Sequence, residues 1–324
     1  MDALSDVLAT ARLCAVAFLD AEFSAPWCIA AQVGPEDCRP LGAVPERIIA
    51  YHYVVEGELY LELTGEPPLR LGTGDIVLLP HNDTHRLASA ANLRPVEVDA
   101  LIQTADSPGL ARLQYGGGGA VTHLICGFLG CERAHSPLLA ALPAVLALRF
   151  GDGLLGSWVQ QSFRVAAAEF AAADIGSATV LSKLAELLFI EAVRRHLAAL
   201  PAQQSGWLEG LRDPYVSKGL ALLHSRLAEP WTTEALAREV GLSRSAFAER
   251  FTQLIGKPPM SYLAHWRLQL AATRLREGDL CLARIAYDIG YESEAAFNRA
   301  FKREFGLPPA TWRKQRGQAR THRL

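Results

Sequence analysis

The sequence lacks several features that would assign it to a structural class directly. Its 324 residues contain six cysteines, too few for a disulfide scaffold, so we expect reduced thiols in a cytosolic protein. No uninterrupted apolar run approaches the roughly 20 residues that a membrane helix needs. The amino end carries Asp2 and Asp6 rather than the basic start of a secretory signal. These absences predict a cytoplasmic chain with no membrane partner.

The composition is that of folded domains, and the charge is divided unevenly along the chain. Half of the residues are hydrophobic and a fifth are charged, which excludes a disordered chain and allows two domains with separate cores. The net charge of −2 hides −10 over residues 1–211 and +8 over residues 212–324. This asymmetry predicts an acidic module joined to a basic module for a polyanion, with chance drift of surface charge as the alternative.

Residues 26–102 alternate in the manner of short strands separated by turns. Ile48–Val55, Leu59–Leu63 and Ile76–Leu79 are rich in β-branched, aromatic and Leu residues, which predicts strands. Glycine-containing segments between them supply the turns. Strands this short and evenly spaced predict a small antiparallel barrel or jelly roll.

Two motifs in this region resemble those of cupins. They are HYVVEGE from His52 to Glu58 and GDIVLLPHNDTH from Gly74 to His85. More narrowly, the run from Ala25 to His85 resembles the cupin domain of AraC-type regulators. The resemblance implies a barrel that receives a signal.

Cupins often bind a metal inside the barrel through His and Glu. The resemblance implies that His85 is the histidine of the second motif and that His52 is one histidine of the first. Glu56 or His81 would have to complete the site, because Ala50 stands where the companion histidine is expected. Since a transition-metal site normally needs about three protein ligands, a divalent metal on His52 and His85 is one interpretation. The other is a pair of histidines hydrogen-bonded in or beside the core.

Cys126 carries a further resemblance. The run Leu124–Phe128, LICGF, resembles that of the AraC subgroup that includes reactive-chlorine sensors, where a Cys-Gly pair occupies this place. The implied role is redox sensing, which requires a thiolate and an accessible sulfur. The second cysteine of that subgroup, a few residues before the residue matching Trp27, has no counterpart in register. The alternative for Cys126 is a small buried hydrophobic residue.

Helical periodicity replaces strand alternation between Pro137 and Leu200. Leu181, Leu184 and Leu188 recur at three- and four-residue spacing. This stripe predicts either packing against the barrel or a helix that pairs with a second copy in a homodimer, as a helix does in AraC-type proteins. The polar segment Pro201–Gly210 predicts a linker.

The most specific signal is an internal repeat about 50 residues apart, from Leu236 to Pro259 and from Ile285 to Pro309. Each copy predicts a helix-turn-helix, because a small residue permits a close helix crossing, a glycine fits the left-handed end of the first helix, and a serine caps the second helix. These residues are Ala237, Gly241 and Ser243 in the first copy and Ala286, Gly290 and Ser293 in the second.

Two such motifs in tandem, each followed by a Pro-Pro pair, resemble the DNA-binding domain of the AraC family over residues 215–316. The resemblance implies two recognition helices that enter successive major grooves of promoter DNA, about 34 Å apart. Arg299 could bond guanine, Asn298 adenine, and Glu249 a cytosine amino group. The positions predicted to contact DNA are Arg244, Ser245, Ala248, Glu249, Glu294, Ala295, Asn298, Arg299 and Lys302, with Arg250 and Arg303 as further phosphate candidates.

These features predict an α+β protein with an N-terminal cupin-like β-barrel, appended helices, and a C-terminal all-α tandem helix-turn-helix domain. The predicted domains are a sensor over 1–135, a helical dimerisation region over 136–205, and a DNA-binding domain over 206–324. The predicted function is a homodimeric, sequence-specific transcription regulator, not an enzyme, with an unknown effector and RNA polymerase as a candidate partner. The alternative is a cupin metalloenzyme, a dioxygenase or isomerase, fused to a DNA-binding module.

Overall fold

The computed structural model describes residues 4–5, 8, 13–35, 37–38, 44–97, 101, 111–131, 137–149, 154–171, 176–200, 206–277 and 280–314. The chain forms two compact units: Ala11–Ala199, called the N-terminal unit, and Leu200–Leu324 together with Met1–Thr10, called the C-terminal unit. In the described ranges, no helix is both long and apolar enough to cross a membrane.

The N-terminal unit contains two β-sheets. Its strands are β1 (Leu13–Ser24), β2 (Cys28–Ala31), β3 (Arg47–Glu56), β4 (Glu58–Leu63), β5 (Leu69–Gly72), β6 (Ile76–Leu79), β7 (His85–Ala88), β8 (Val96–Glu97), β9 (Ala111–Gly116), β10 (Val121–Cys131) and β11 (Leu146–Leu148). One sheet has the strand order β11-β6-β3-β10-β1-β9 and the other β5-β4-β7-β2-β8. The predicted barrel is therefore built from two separate sheets, and the predicted strands lie within β3, β4 and β6.

The core of this unit lies between the sheets because each strand turns its apolar residues to one side. In β4, Leu59 and Leu61 are buried while Glu58 is exposed. These leucines pack with residues such as Phe23 of β1 and Val54 of β3, from the opposite sheet. This alternation positions inward-facing side chains of both sheets within reach of one another.

Helices follow the strands and pack onto the same unit. They are α1 (Pro137–Ala141), α2 (Leu154–Ala171) and α3 (Ser177–Ala199). Phe163 of α2 contacts the ring of Tyr53 on β3, with 4.6 Å between ring centroids, and Ser182 of α3 donates to the Ala15 carbonyl of β1 at 2.6 Å. Leu181 and Leu188 are buried, so the predicted apolar stripe is covered within the unit itself.

The C-terminal unit is all helical. Its helices are α4 (Trp207–Arg212), α5 (Pro214–Ser225), α6 (Thr233–Val240), α7 (Arg244–Ile255), α8 (Pro259–Glu277), α9 (Leu282–Asp288) and α10 (Glu294–Phe305), and residues 309–314 are helical as well. Helix α4 begins inside the segment predicted as a linker, because Leu208 is buried and Gly210 packs against Ile255. The α+β class with tandem helix-turn-helix motifs is confirmed.

The two helix-turn-helix motifs repeat their local geometry closely. Gly241 after α6 and Gly290 after α9 have φ of 86° and 82°, in the left-handed region that glycine tolerates. The side chains of Ser243 and Ser293 accept hydrogen bonds from the amides of Ala246 and Ala296, both at 3.2 Å. The predicted turn and cap residues are confirmed. The predicted core residues Phe247, Phe251, Phe297 and Phe301 are fully buried.

Candidate functional site

The recognition helices α7 and α10 present matching exposed faces opposite their phenylalanine faces. The first, second and sixth positions are exposed in both helices: Arg244, Ser245 and Glu249 in α7, and Glu294, Ala295 and Arg299 in α10. Of the nine predicted DNA-contacting residues, seven are exposed: Arg244, Ser245, Glu249, Glu294, Ala295, Arg299 and Lys302. These faces offer charged groups of both signs together with small residues, which suits base-edge and phosphate contacts.

The other two predicted contacts, Ala248 and Asn298, are half-buried. The side-chain oxygen of Asn298 is buried and has no hydrogen-bond partner among the described residues. A bidentate contact to adenine uses both the oxygen and the nitrogen of the amide. In this conformation Asn298 cannot make that contact without a change of side-chain rotamer.

Arg250, a phosphate candidate from the sequence, is held by its own unit. Its Nε atom donates to Asp213 Oδ2 at 2.6 Å, and its guanidinium lies over the Tyr215 ring at 5.4 Å from the centroid. Asp213 also caps α5 by accepting from the amides of Tyr215 and Val216 at 3.0 Å. Arg250 therefore fastens α7 to the start of α5.

The interior of the N-terminal unit contains a hydrogen-bonded chain of three side chains, Cys126, His52 and His85. Cys126 on β10 and His52 on β3 are paired across the sheet, with 2.9 Å between Sγ and Nδ1. Across the interior, His52 Nε2 lies 2.7 Å from Nε2 of His85 on β7, in the other sheet. All three side chains are buried. The structure thus unites the cysteine and the two histidines that the sequence motifs indicated separately.

The contact between His85 and the Asp83 backbone determines where each proton of this hydrogen-bonded series lies. His85 Nδ1 lies 2.9 Å from the Asp83 carbonyl oxygen, which can only accept, so His85 Nδ1 must donate. In neutral His85, Nε2 is then an acceptor and receives the proton of His52 Nε2. His52 Nδ1 is an acceptor in turn, and the Cys126 thiol donates to it. Sequence reasoning missed the Asp83 carbonyl because it is a backbone group.

Burial in the interior favours the neutral forms of Cys126, His52 and His85. Burial raises the pKa of the Cys126 thiol to about 12, with a smaller contribution from Asp20. Burial and then the neighbouring His85 lower the pKa of His52 well below its ordinary value. Burial also lowers the pKa of His85, against the opposing contact with Asp83. At neutral pH Cys126 is therefore a buried thiol, whereas the redox hypothesis requires an accessible thiolate.

The donor set around His52 and His85 does not fit a three-ligand metal site. The two Nε2 atoms lie at hydrogen-bonding distance, whereas two nitrogen ligands of one tetrahedral ion would be about 3.4 Å apart. The predicted third ligands are elsewhere: Glu56 is exposed at the end of β3, and His81 Nε2 lies 3.0 Å from the Leu142 carbonyl oxygen. Across the described part of the chain, no three His, Cys, Asp or Glu residues are arranged to hold a metal.

Comparisons with known proteins place both units in known families. Residues 2–198 match the family described as Cupin, and residues 236–315 match the family described as Helix-turn-helix domain. The chain is 36% identical over 269 residues to an AraC-like transcription regulator of Streptomyces lividans, covering 83% of this chain and 87% of that protein. It is 31% identical over 271 residues to the HTH-type transcriptional regulator AlkR of Acinetobacter baylyi, covering 82% and 87%.

A third relative covers a similar share of the chain. The chain is 27% identical over 277 residues to the RCS-specific HTH-type transcriptional activator RclR of Escherichia coli K12, covering 85% of this chain and 88% of that protein. The chain therefore belongs to the AraC family of transcription regulators, with an N-terminal cupin domain and a C-terminal DNA-binding helix-turn-helix domain. The predicted family and the predicted regulatory, DNA-binding function are confirmed.

Proposed function

We propose that this regulator reads two DNA half-sites, one with α7 and one with α10. The observation that carries the proposal is the pair of exposed faces on α7 and α10, each helix beginning at a serine cap that follows a left-handed glycine. Arg299 and Glu249 are the proposed base readers, while Arg244 and Lys302 are proposed to contact phosphates. Ser245, Ala248, Glu294 and Ala295 complete the proposed contacts, with Asn298 contributing after a rotamer change.

This mode of reading is tested by selecting bound duplexes from a randomised library with the full chain. Two helices that enter successive major grooves on one DNA face should select two boxes with centres about 10 base pairs apart. A single box, or no consensus at all, would contradict the proposal. Lys302→Ala should weaken binding to every duplex about equally and reduce the salt dependence, which identifies phosphate contacts.

We also propose that the hydrogen-bonded triad of Cys126, His52 and His85 is the input of the regulator. Because the resting Cys126 is a buried thiol, the oxidant would reach it in a locally opened state of the N-terminal unit, in which the sulfur is exposed to water. Hypochlorite would convert the Cys126 thiol to a sulfenic acid: the sulfur loses two electrons to chlorine, which leaves as chloride, and the oxygen is inserted between sulfur and hydrogen. The product has one more oxygen atom in a close-packed interior. The added volume would disfavour the resting packing around His52 and shift the population of states that bind DNA.

The input is tested by anisotropy titrations of the selected duplex before and after hypochlorite. Treatment should change the affinity of the wild type, and Cys126→Ala should not respond. Cys28→Ala is the matched control. Cys28 is another buried cysteine of the N-terminal unit, but it is not hydrogen-bonded to His52 or His85. An equal response of wild type and Cys126→Ala would remove Cys126 from the mechanism.

The predicted absence of catalysis and the predicted homodimer belong to the same proposal. We propose a regulatory rather than catalytic role for the cupin domain, supported by the regulators among its relatives and by the missing third metal ligand. Stoichiometric iron, manganese or nickel together with turnover would instead support the cupin metalloenzyme. A transcription regulator acts where promoter DNA and RNA polymerase are, so a cytoplasmic location and a polymerase contact are proposed as well.

Exposed apolar side chains on α2 and α3 support the proposed homodimer. Trp158 and Val165 on α2, and Val180 and Leu187 on α3, are 42 to 56% exposed. In each helix the two residues are seven positions apart and so lie on one face. Leu187→Glu should convert a dimer to a monomer in light scattering; a wild-type mass of 35.2 kDa would contradict the proposal.

A further inference from the structure

The side chain of Arg267, in the middle of α8, bonds to both helix-turn-helix motifs at once. Its Nε and Nη2 atoms donate to the Leu227 carbonyl at 2.9 and 2.8 Å, and Nη2 also donates to the Glu229 carbonyl at 2.7 Å. Both acceptors lie in the loop that leads into α6, at the entrance to the first motif. The Nη1 atom donates to the Gly290 carbonyl at 3.1 Å, in the turn of the second motif.

Gly290 brings the backbones of the two motifs together. A Cβ atom there would lie 2.6 Å from the Ala228 carbonyl oxygen and 2.7 Å from Arg267 Nη2, so any side chain would force the motifs apart. Gly241 occupies the equivalent turn of the first motif with nearly the same φ, yet a Cβ atom there would meet nothing within 4 Å. The close approach is therefore specific to Gly290, whereas the backbone conformation is common to both turns.

The loop that Arg267 holds is itself braced. Arg226 Nε donates to Glu229 Oε1 at 2.6 Å, and its guanidinium lies 4.9 Å from the centroid of the Trp231 ring. Trp231 Nε1 donates in turn to the Arg226 carbonyl at 3.0 Å. Because these contacts make the loop rigid, the hydrogen bonds from Arg267 to its carbonyls also position the helices on either side of the loop.

We propose that Arg267 and Gly290 form a junction that fixes the orientation of α7 relative to α10 and so determines which half-site spacing the protein accepts. Neither residue would contact DNA; both are positioning residues. The inference rests on the proposed reading of two half-sites. Rigid preorganisation raises affinity for a ligand of matching geometry, because less orientational freedom is lost on binding.

The spacing of DNA gives this junction a measurable consequence. One inserted base pair moves a half-site by about 3.4 Å along the axis and rotates it by about 35°. A rigid pair of recognition helices cannot follow that displacement, whereas a loosened pair can. Loosening the junction should therefore lower affinity at the natural spacing and relax the penalty for a wrong spacing.

The test uses the full chain and three duplexes derived from the library selection: both boxes, both boxes with one inserted base pair, and one box with the other scrambled. In the wild type we expect the insertion to cost at least tenfold in affinity. In Arg267→Lys and Gly290→Ala we expect a cost of threefold or less, with one-box affinity within twofold of the wild type. Gly241→Ala is the matched control and should keep the wild-type penalty.

The outcomes distinguish failure of the junction hypothesis from failure of the proposed reading of two half-sites. Variants that keep the tenfold penalty, or that lose one-box and two-box affinity in equal proportion, overturn the junction. If the inserted base pair does not lower the affinity of the wild type, both the two-half-site reading and the junction are wrong. Far-UV circular dichroism confirms folding, and Arg267→Gln, which can still bond one carbonyl, replaces the lysine variant where that variant unfolds.

Discussion

The N-terminal unit buries Cys126, His52 and His85, whereas the C-terminal unit exposes most of the residues proposed to contact DNA. Cys126, His52 and His85 lie between two sheets, each satisfied by the next. On α10, Phe297 is fully buried while Arg299, two residues along, is exposed. In the proposed mode of DNA reading, the C-terminal unit thus divides stability and recognition between two faces of one helix. In the N-terminal unit the function proposed above requires the same buried side chains both to hold the interior together and to respond to a signal.

The largest expected effect tests this division within α10. Phe297→Ala removes a fully buried ring and should lower the free energy of unfolding of the C-terminal unit by about 3–5 kcal/mol. Urea denaturation followed by circular dichroism measures the change. Arg299→Ala is the exposed control and should stay within about 0.5 kcal/mol of the wild type. Similar losses in both variants would contradict the division of roles.

A smaller effect is expected when the hydrogen bonds that link Cys126, His52 and His85 are interrupted. His85→Ala leaves the Nε2 proton of His52 without its acceptor and should cost the N-terminal unit about 1–3 kcal/mol. Thr84→Ala, at the exposed neighbouring position, is the control and should be near neutral. The same His85→Ala variant should also alter the hypochlorite response of DNA binding. A variant with altered stability but an unchanged response would separate the two roles that we assign to this chain.

Acidification should weaken the N-terminal unit through the same two histidines. Burial lowers the folded-state pKa of His52 and His85, so the unfolded chain binds more protons once the pH falls below its histidine pKa of about 6.5. The stability is present above that pH and is lost below it, at up to about 1.4 kcal/mol per pH unit for each proton.

One histidine acts in the opposite direction and provides the control for the acid effect. The hydrogen bond to Asp20 raises the pKa of His123, so His123 stabilises the fold at low pH and loses that contribution as the pH rises through its folded pKa. In thermal unfolding between pH 7.5 and 5.5, His123→Gln should show a steeper acid loss than the wild type. A shallower loss in His123→Gln would contradict the assignment.

The smallest effect concerns the repeat itself. Ser243→Ala and Ser293→Ala each remove a capping hydrogen bond of 3.2 Å and should each cost about 1 kcal/mol. Equal losses in thermal unfolding would show that the two caps contribute equally to stability. A loss at one serine alone would contradict that equivalence.

Local features of this fold were predictable from sequence, and long-range ones were not. Caps, turn glycines and phenylalanine faces depend on residues three to five positions apart, so Ser243 and Gly290 reveal their roles in the repeat. The chain from Cys126 to His52 depends on the register of β10 against β3 and on the facing of two sheets. Arg267 is harder still to predict, because its partners are backbone carbonyls 40 and 23 residues away that carry no sequence signal.

The most direct test of DNA reading by the exposed helix faces is the ratio of affinities for the selected duplex and a scrambled duplex, measured by anisotropy for the wild type and Arg299→Ala. If Arg299 reads a base, the variant should lose about 1–3 kcal/mol on the selected duplex, keep its affinity for scrambled DNA, and relax one base preference. An equal loss on both duplexes would show that Arg299 contacts only phosphate, and would contradict base reading by α10 through this residue.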